Sequence, residues 1–185
     1  MSRMKASVCV FCGARSGIRA AYARDATATG AMLARNGWRL VYGAGDVGLM
    51  GEVARAAKAE GADTFGVIPV HLLNREVANR DLSTLVVTET MHERKKVMFM
   101  NSDAFVVLPG GGGSLDEFFE VLTWRQLGLH AKPIILLNTE GYWTPLVGLI
   151  DQIVSEGFAE ASVRGFVSVA ADVPALEALL HAALG

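Results

Sequence analysis

The segment 109–117, PGGGGSLDE, combines residue types that could bind an anion and break a bond beside it. Four consecutive glycines leave the backbone bare, and Ser114 adds a hydroxyl group. Free N–H groups at the start of a helix, with the positive end of the helix dipole, form phosphate sites. Glu117 would lie in the first turn of a helix that we predict over 114–127. Because a pure phosphate binder gains nothing from a nearby acid, this carboxylate indicates chemistry on another part of the ligand.

Ser114 and Glu117 also fit a structural interpretation. The spacing S-x-x-E before an apolar run is that of a capping box, in which the serine caps the helix and the glutamate reaches back to the serine N–H. The two interpretations are compatible, because a carboxylate near a helix N-terminus stays ionised and faces the ligand edge.

A second charged segment, TMHERKK at 90–96, stands where a predicted strand ends and a helix begins. Arg94 and Lys95 would fall in the first helical turn, where cations oppose the helix dipole at a cost of roughly 0.3–1 kcal/mol each. That placement favours a role in ligand binding, and arginine suits bidentate contact with phosphate or carboxylate. The alternative is an ordinary run of solvated charges.

Three glycine-rich loops each follow a predicted strand and precede a helix: CGARSG (12–17), GAGDVGLMG (43–51) and PGGGGS (109–114). Glycine lets a backbone approach a ligand closely. The second loop contains the dinucleotide-binding pattern GxGxxG, but the acid that should end the next strand is missing, since Asp63 begins that strand. No GK[ST] follows any glycine run, which excludes a P-loop. Tight turns without a ligand are the structural alternative for each loop.

The elements that would position these loops alternate along the chain. Apolar runs without polar alternation, separated by helical segments, indicate a parallel sheet covered on both faces. Such a sheet binds ligands beyond the carboxyl ends of its strands. We predict one α/β doubly wound domain over 1–185 with about seven strands. The strands are predicted at 5–11, 38–43, 63–69, 84–87, 103–109, 132–138 and 165–169. The helices are predicted at 19–36, 91–101, 114–127, 144–156 and 173–184, and one further helix follows the 43–51 loop and ends near residue 60.

Composition narrows the function further. The 185 residues are 51% hydrophobic and 19% charged with a net charge of −2, which argues against disorder and against nucleic acid as a partner. We expect no signal peptide and no membrane span, and hence a cytoplasmic protein. Cys9 and Cys12 are predicted to be ordinary buried cysteines. The four histidines are scattered without ligand spacing, so we expect no metal.

MHERK followed by PGGGGSLDE resembles the paired signature of the Lonely Guy family, in which an MHxRK-like segment precedes PGGxGTxxE. These proteins are cytokinin riboside 5'-monophosphate phosphoribohydrolases that were long mislabelled as lysine decarboxylases. The resemblance extends from CVFCGARSG near the start to EGF near residue 157, through VYGAGDVGLMG, TWRQLGLHAKPIILLN and GYWTPLVGLID. It therefore includes most of the chain.

The resemblance implies a Rossmann-like fold, a homodimer or larger homo-oligomer, and an active site near the subunit interface. The implied reaction is hydrolysis of the N-glycosidic bond of adenine-type nucleoside 5'-monophosphates, N6-prenylated AMP or AMP itself, without a cofactor. Two alternatives stay open. One is a nucleosidase for other 5'-monophosphates in salvage, and the other is a non-catalytic nucleotide or cofactor carrier.

By motif position, Arg94 and Glu117 match the family's catalytic pair, and Glu76 in NREVANRD matches a substrate-binding glutamate. Ser114 stands where the family often has threonine, and Gly112 where it often has an aromatic ring. Lysine decarboxylation would require a pyridoxal phosphate Schiff-base lysine, and Lys95 is the one lysine near the predicted ligand edge. The resemblance and the glycine loops together assign substrate contacts to Lys95, Gly110, Gly111, Gly112, Gly113, Ser114, Asp116, Thr123, Gly43, Gly45 and Gly13.

Overall fold

Seven strands form a single parallel sheet in a computed structural model that describes residues 6–73 and 81–185. The strand order is β4-β3-β2-β1-β5-β6-β7, and every neighbouring pair is parallel. This confirms the predicted α/β doubly wound fold. The strands are β1 (Ser7–Phe11), β2 (Arg39–Tyr42), β3 (Thr64–Pro69), β4 (Thr84–Thr88), β5 (Ala104–Val107), β6 (Ile134–Leu137) and β7 (Val167–Ala170).

Helices connect the strands and cover both faces of the sheet, as the unbroken apolar character of the strands predicts. Short 3-10 turns occur at Val70–Leu72, Thr139–Gly141 and Ala161–Phe166. The α-helices are α1 (Ala20–Arg35), α2 (Gly48–Ala59), α3 (Met91–Met100), α4 (Gly112–Gln126), α5 (Thr144–Ser155) and α6 (Val173–Leu184). In the described residues, no helix combines the length and the apolar character that crossing a bilayer requires.

Successive side chains of β1 point to opposite faces of the sheet and enter two separate hydrophobic cores. Val8 and Val10 pack with α1, α2 and α6 in one core. Cys9 and Phe11 pack with α4 and α5 in the other. Both cysteines are buried and free, as predicted. This burial on both faces fixes the position of β1 at the centre of the sheet.

The order of the strands reverses between β1 and β5. From β1 the chain proceeds through β2 and β3 to β4 at one edge, and from β5 it proceeds through β6 to β7 at the other. The loops that follow β1 and β5 therefore leave the sheet in different directions and open a crevice between them. Ligands of doubly wound sheets bind at such a point. It is formed by the first and third glycine loops, whereas the GxGxxG match follows β2.

The predicted capping box of Ser114 and Glu117 is wrong. Helix α4 begins two residues earlier, with Gly111 as its N-cap residue and no side-chain cap. Gly112 and Gly113 belong to the helix, so Glu117 lies in its second turn. A capping box occurs instead at the start of α3, where Thr90 and Glu93 satisfy each other's backbone N–H groups.

Candidate active site

A cavity of about 480 Å³ opens at the carboxyl ends of β1, β2 and β5. Its volume lies in the range of roughly 300–1,000 Å³ that is usual for small-molecule sites. Its lining joins segments that are distant in sequence: the loop after β1, the start of α2, the start of α3, the start of α4 and the loop after β6. The lining residues are Val10, Cys12, Gly13, Ala14, Arg15, Ser16, Gly17, Tyr22, Gly43, Leu49, Met50, Leu72, Met91, Arg94, Pro109, Gly110, Gly111, Gly113, Ser114, Glu117 and Tyr142.

The first and third glycine loops touch each other across the crevice. The N–H of Gly13 donates a hydrogen bond of 3.1 Å to the carbonyl of Pro109. A Cβ atom at Gly13 would lie 3.4 Å from the Cα atom of Gly110 and only 3.0 Å from the carbonyl oxygen of Arg15. A side chain at this position would therefore crowd the carbonyl of Arg15 in its own loop, and glycine avoids this crowding.

The start of α4 forms the floor of the cavity. Gly111 and Gly113, which line the cavity, are exposed, and an added Cβ at either of them would meet open space. Their N–H groups belong to the first helical turn, where no carbonyl of the helix can accept them. Ser114, in contrast, is buried against Gly110. Bare N–H groups at the positive end of a helix dipole make this floor suited to an anion.

Arg94 is buried, with only 4% of its surface exposed, beneath one side of the cavity. Its Nε donates to the carbonyl of Val67 at 3.0 Å, and its Nη2 donates to the carbonyl of Gly43 at 2.6 Å. Charge-assisted hydrogen bonds of this kind compensate the cost of burying the cation. The interpretation as a solvated charge run is therefore wrong for Arg94. Its guanidinium is a rigid, oriented cation.

Glu117 brings a carboxylate into the same cavity as the start of α4 and Arg94. Its charge also acts on the thiol of Cys12. Burial raises the pKa of Cys12, and the nearby negative charge of Glu117 raises it further. The thiol is therefore protonated at neutral pH and is a poor nucleophile. Among the described residues of the lining, Glu117 contributes the carboxylate.

A family model described as possible lysine decarboxylase matches residues 50–180, well over half of the chain. The chain belongs to this family. One relative, a cytokinin riboside 5'-monophosphate phosphoribohydrolase of Arabidopsis thaliana, is 40% identical over 94% of this chain and 82% of its own length. Another, named as a probable enzyme of the same kind from Oryza sativa subsp. japonica, is 46% identical over 91% of this chain and 74% of its own length.

The fold of this family member is shared with solved structures of lower identity. The Moco carrier protein from Chlamydomonas reinhardtii superposes with a TM-score of 0.76 at 23% identity, over 97% of this chain and 98% of the carrier. At this identity the similarity establishes the Rossmann-like fold alone.

Four residues that the family resemblance assigns to substrate lie outside the main cavity. They line a shallow depression on the outer side of α3 and α4, beside Trp124: Lys95, Gly112, Asp116 and Thr123. Lys95 forms ion pairs there with Asp116, at 3.1 Å, and with Glu120. Glu76 lies outside the described residues.

Gly45 also lies outside the cavity lining. A Cβ there would approach the terminal methyl group of Met50 to 2.8 Å, so this glycine leaves room for a side chain that does line the cavity. The remaining predicted residues of the family motifs are brought together at the cavity: Gly13, Gly43, Arg94, Gly110, Gly111, Gly113, Ser114 and Glu117.

Among the lining residues that were not predicted as site residues are Arg15 and Tyr142. The hydroxyl of Tyr142 donates a hydrogen bond of 2.6 Å to the carbonyl of Gly110, and its ring meets that of Tyr22 edge-on at 5.5 Å. The order of the strands could have indicated Tyr142. The segment GYW follows β6, and β6 pairs with β5, so the loop after β6 lies beside the glycine loop after β5.

Proposed function

We propose that this protein hydrolyses the N-glycosidic bond of adenine-type nucleoside 5'-monophosphates and releases the free base and ribose 5-phosphate. The observation that carries the proposal is the presence of Glu117 in the same cavity as the bare N-terminus of α4 and the buried Arg94. The names of relatives at 40–46% identity specify the same reaction on cytokinin riboside 5'-monophosphates.

The spacing along α4 fits a ligand whose charged end and reacting bond are one sugar ring apart. The phosphate would lie against the exposed N–H groups that follow Gly111. Glu117 is six residues further on, roughly 9 Å along the helix axis at 1.5 Å per residue. One helix thus offers a positive end to the phosphate and a carboxylate to the ribose, which explains why an acid stands beside an anion site.

The proposed reaction adds water across the bond between the ribose C1' and the base nitrogen. As that bond breaks, positive charge develops on the ribose, and a carboxylate that faces the ring stabilises it. The oxygen of water forms the new bond to C1', and a proton passes to the departing base. We assign the stabilisation of the cation or the activation of water to Glu117, and contact with the ribose hydroxyls or the water to Glu76.

Arg94 is the fixed cation of this scheme. Its hydrogen bonds to Val67 and Gly43 fix the guanidinium at the side of the cavity. From that position its charge can orient the carboxylate of Glu117 or contact the substrate. We therefore propose Arg94 and Glu117 as the catalytic pair, in agreement with their places in the family motif.

Lysine decarboxylation, which the family description names, fits this site poorly. A Schiff-base lysine must become a neutral amine in order to react. The ammonium group of Lys95 is paired with Asp116 and Glu120, and these hydrogen bonds outweigh burial and raise its pKa. Lys95 also lines the outer depression instead of the main cavity.

The test is to incubate purified protein with AMP and with N6-isopentenyl-AMP and to quantify free base and ribose 5-phosphate by chromatography. We expect Glu117→Gln to reduce the turnover number about 100-fold or more, the typical loss when an electrostatic group of the transition state is removed. Glu140→Gln is the matched control, because Glu140 is an exposed glutamate that pairs with Arg19 outside the cavity. Near-wild-type turnover by Glu117→Gln would refute the assignment.

The two substrates separate the remaining alternatives. Faster release from the prenylated nucleotide supports cytokinin activation, and equal or faster release from AMP supports a salvage nucleosidase. Nucleotide binding without release of base from any 5'-monophosphate would support a carrier.

We also propose that two or more copies associate through the ends of α3 and α4. Phe99 and Trp124 pack edge-on at 4.9 Å and join these two helix ends. Beside this contact, Met100, Leu127 and Leu129 are 66–68% exposed. The outer depression with Lys95 and Asp116 lies on the same two helices, so an assembly would cover it. Sedimentation velocity with Leu129→Glu tests this, and an unchanged assembly, or a wild-type monomer, would contradict it.

A cytoplasmic location also stays a prediction.

A further inference from the structure

Two cations, Arg15 and Arg94, belong to the lining of the main cavity as the described residues form it. A nucleoside 5'-monophosphate brings about two negative charges into this cavity, close to Glu117. Within 6–73 and 81–185, these two arginines are the cationic side chains of the lining that can balance the phosphate, and their surroundings differ sharply.

Arg94 is held by the fold. Its Nε and Nη2 are used by the carbonyls of Val67 and Gly43, and its Nη1 lies 3.9 Å from the sulfur of Met91. A guanidinium fixed in this way cannot turn its fork toward a phosphate at the start of α4 without losing two hydrogen bonds to buried carbonyls. The cost of leaving such carbonyls unsatisfied is substantial.

Arg15 has the opposite character. It is exposed at the cavity, and its guanidinium forms no hydrogen bond or ion pair with any residue in 6–73 or 81–185. Its neighbour Arg19, four residues later, pairs with Glu140 at 3.1 Å. The five N–H donors of an unpaired guanidinium match the geometry of phosphate oxygens.

The backbone that carries Arg15 is fixed although its side chain is not. The carbonyl of Gly13 accepts hydrogen bonds from the N–H groups of Leu49 at 3.0 Å and Met50 at 3.3 Å. The backbone from Ala14 to Arg15 also packs directly on Gly48, which has a φ of 61° and no room for a Cβ atom. The loop is therefore clamped between the start of α2 and the 109–114 loop.

The structure points to Arg15 as the residue that recognises the 5'-phosphate of the substrate. This inference rests on the proposed function and makes it more specific. The N–H groups at the start of α4 bind the phosphate from below, and the guanidinium of Arg15 closes over it from the loop after β1. Arg15 thereby selects nucleoside 5'-monophosphates over nucleosides, while Arg94 and Glu117 act at the ribose.

The expected effect separates binding from chemistry. Arg15→Gln should raise the KM for AMP by roughly 10- to 100-fold, the range for loss of a hydrogen-bonded charge. The turnover number should change little, because the ribose end of the site is intact. Arg15→Lys should recover part of the affinity, since lysine keeps the charge but not the fork.

The test compares wild-type protein, Arg15→Gln and Arg15→Lys in calorimetric titrations with adenosine and ribose 5-phosphate, alongside the kinetics. Titrations with AMP use the same variants in the slow Glu117→Gln background, so that the nucleotide is not consumed. Affinity for AMP and ribose 5-phosphate should fall in Arg15→Gln, and affinity for adenosine should not. Arg19→Gln is the matched control on the same loop, and all variants should keep the wild-type thermal midpoint.

Two results would overturn the inference: unchanged affinity of Arg15→Gln for AMP, or an equal loss for adenosine. The binding measurements stand even if the wild-type protein releases no base. A failed hydrolysis assay with a phosphate-specific loss in Arg15→Gln refutes the proposed reaction and supports phosphate recognition. Hydrolysis by the wild-type protein with unaltered affinity of Arg15→Gln for AMP and ribose 5-phosphate supports the proposed reaction and refutes phosphate recognition by Arg15.

Discussion

The Nη2 atom of Arg94 donates a hydrogen bond of 2.6 Å to the carbonyl oxygen of Gly43, and a Cβ atom at Gly43 would occupy the space of that nitrogen. A residue at the end of β2 thus determines where the buried cation at the start of α3 can lie. Gly43 is the first glycine of the GxGxxG match. It makes room for the guanidinium of Arg94, which explains why a glycine stands here without a role in dinucleotide binding.

We expect Gly43→Ala to reduce kcat/KM for base release by roughly 100-fold, because the added methyl group displaces the guanidinium of Arg94 by an ångström or more. Steady-state kinetics with AMP or N6-isopentenyl-AMP measures this. Gly148→Ala is the matched control, since an added Cβ there meets open space on α5. Wild-type kinetics in Gly43→Ala would show that the position of Arg94 does not matter.

Tyr142→Phe should weaken substrate binding without unfolding the protein. The variant removes the hydroxyl that holds the carbonyl of Gly110 at 2.6 Å but keeps the ring that packs on Tyr22 and Trp143. Because Gly110 precedes the start of α4, we expect the KM to rise by about 3- to 10-fold, the equivalent of one neutral hydrogen bond.

The thermal midpoint distinguishes positioning from packing. It should stay near the wild-type value in Tyr142→Phe and fall in Tyr142→Leu, which removes both aromatic contacts. An unchanged KM in Tyr142→Phe would mean that the hydroxyl does not position the glycine loop.

The capping box at the start of α3 should contribute to stability. Thr90 accepts from the N–H of Glu93 at 3.2 Å, and the carboxylate of Glu93 accepts from the N–H of Thr90 at 3.3 Å. Thr90→Ala should lower the free energy of unfolding by about 1 kcal/mol, measured by urea denaturation. Thr27→Ala, at an exposed helical position, should stay within about 0.5 kcal/mol of wild type. Equal losses in the two variants would contradict the role of the cap.

The two S/T-x-x-E segments show how far local sequence predicts local structure. Thr90 caps α3 two residues after strand β4 ends at Thr88. Ser114 follows four glycines, which can themselves turn into a helix, and α4 begins at Gly112. The spacing is the same in both segments, and the flanking backbone decides which one forms the box.

The fold was predictable because its signal is continuous along the chain. In the described residues, the seven strands and six α-helices overlap the segments that the apolar runs and glycine stops predict. The site was predictable only in part. Loops at one edge of a parallel sheet can be inferred to meet, but the direction of a side chain cannot. Arg94 and Lys95 are neighbours in sequence, and the helix turns one into the main cavity and the other into the outer depression.

His130 should make stability depend on pH. Its Nε2 bonds to the carbonyl of Val121 at 2.7 Å, and its Nδ1 accepts from the N–H of Lys132 at 3.1 Å, an arrangement that suits the neutral ring. Burial lowers the pKa of His130, the positive charges of Lys132 and Arg125 lower it further, and the hydrogen bond to Val121 opposes them in part.

Because the folded state binds this proton less readily than the unfolded state, the contribution of His130 is complete above the ordinary histidine pKa of about 6.5 and is lost as the pH falls below it. The thermal midpoint of the wild-type protein should therefore decline between pH 7.5 and 5.5 more steeply than that of His130→Gln. His92→Gln, at an exposed position on α3, is the matched control. Parallel midpoint curves for wild type and His130→Gln would show that this histidine protonates in the fold without cost and would contradict the prediction.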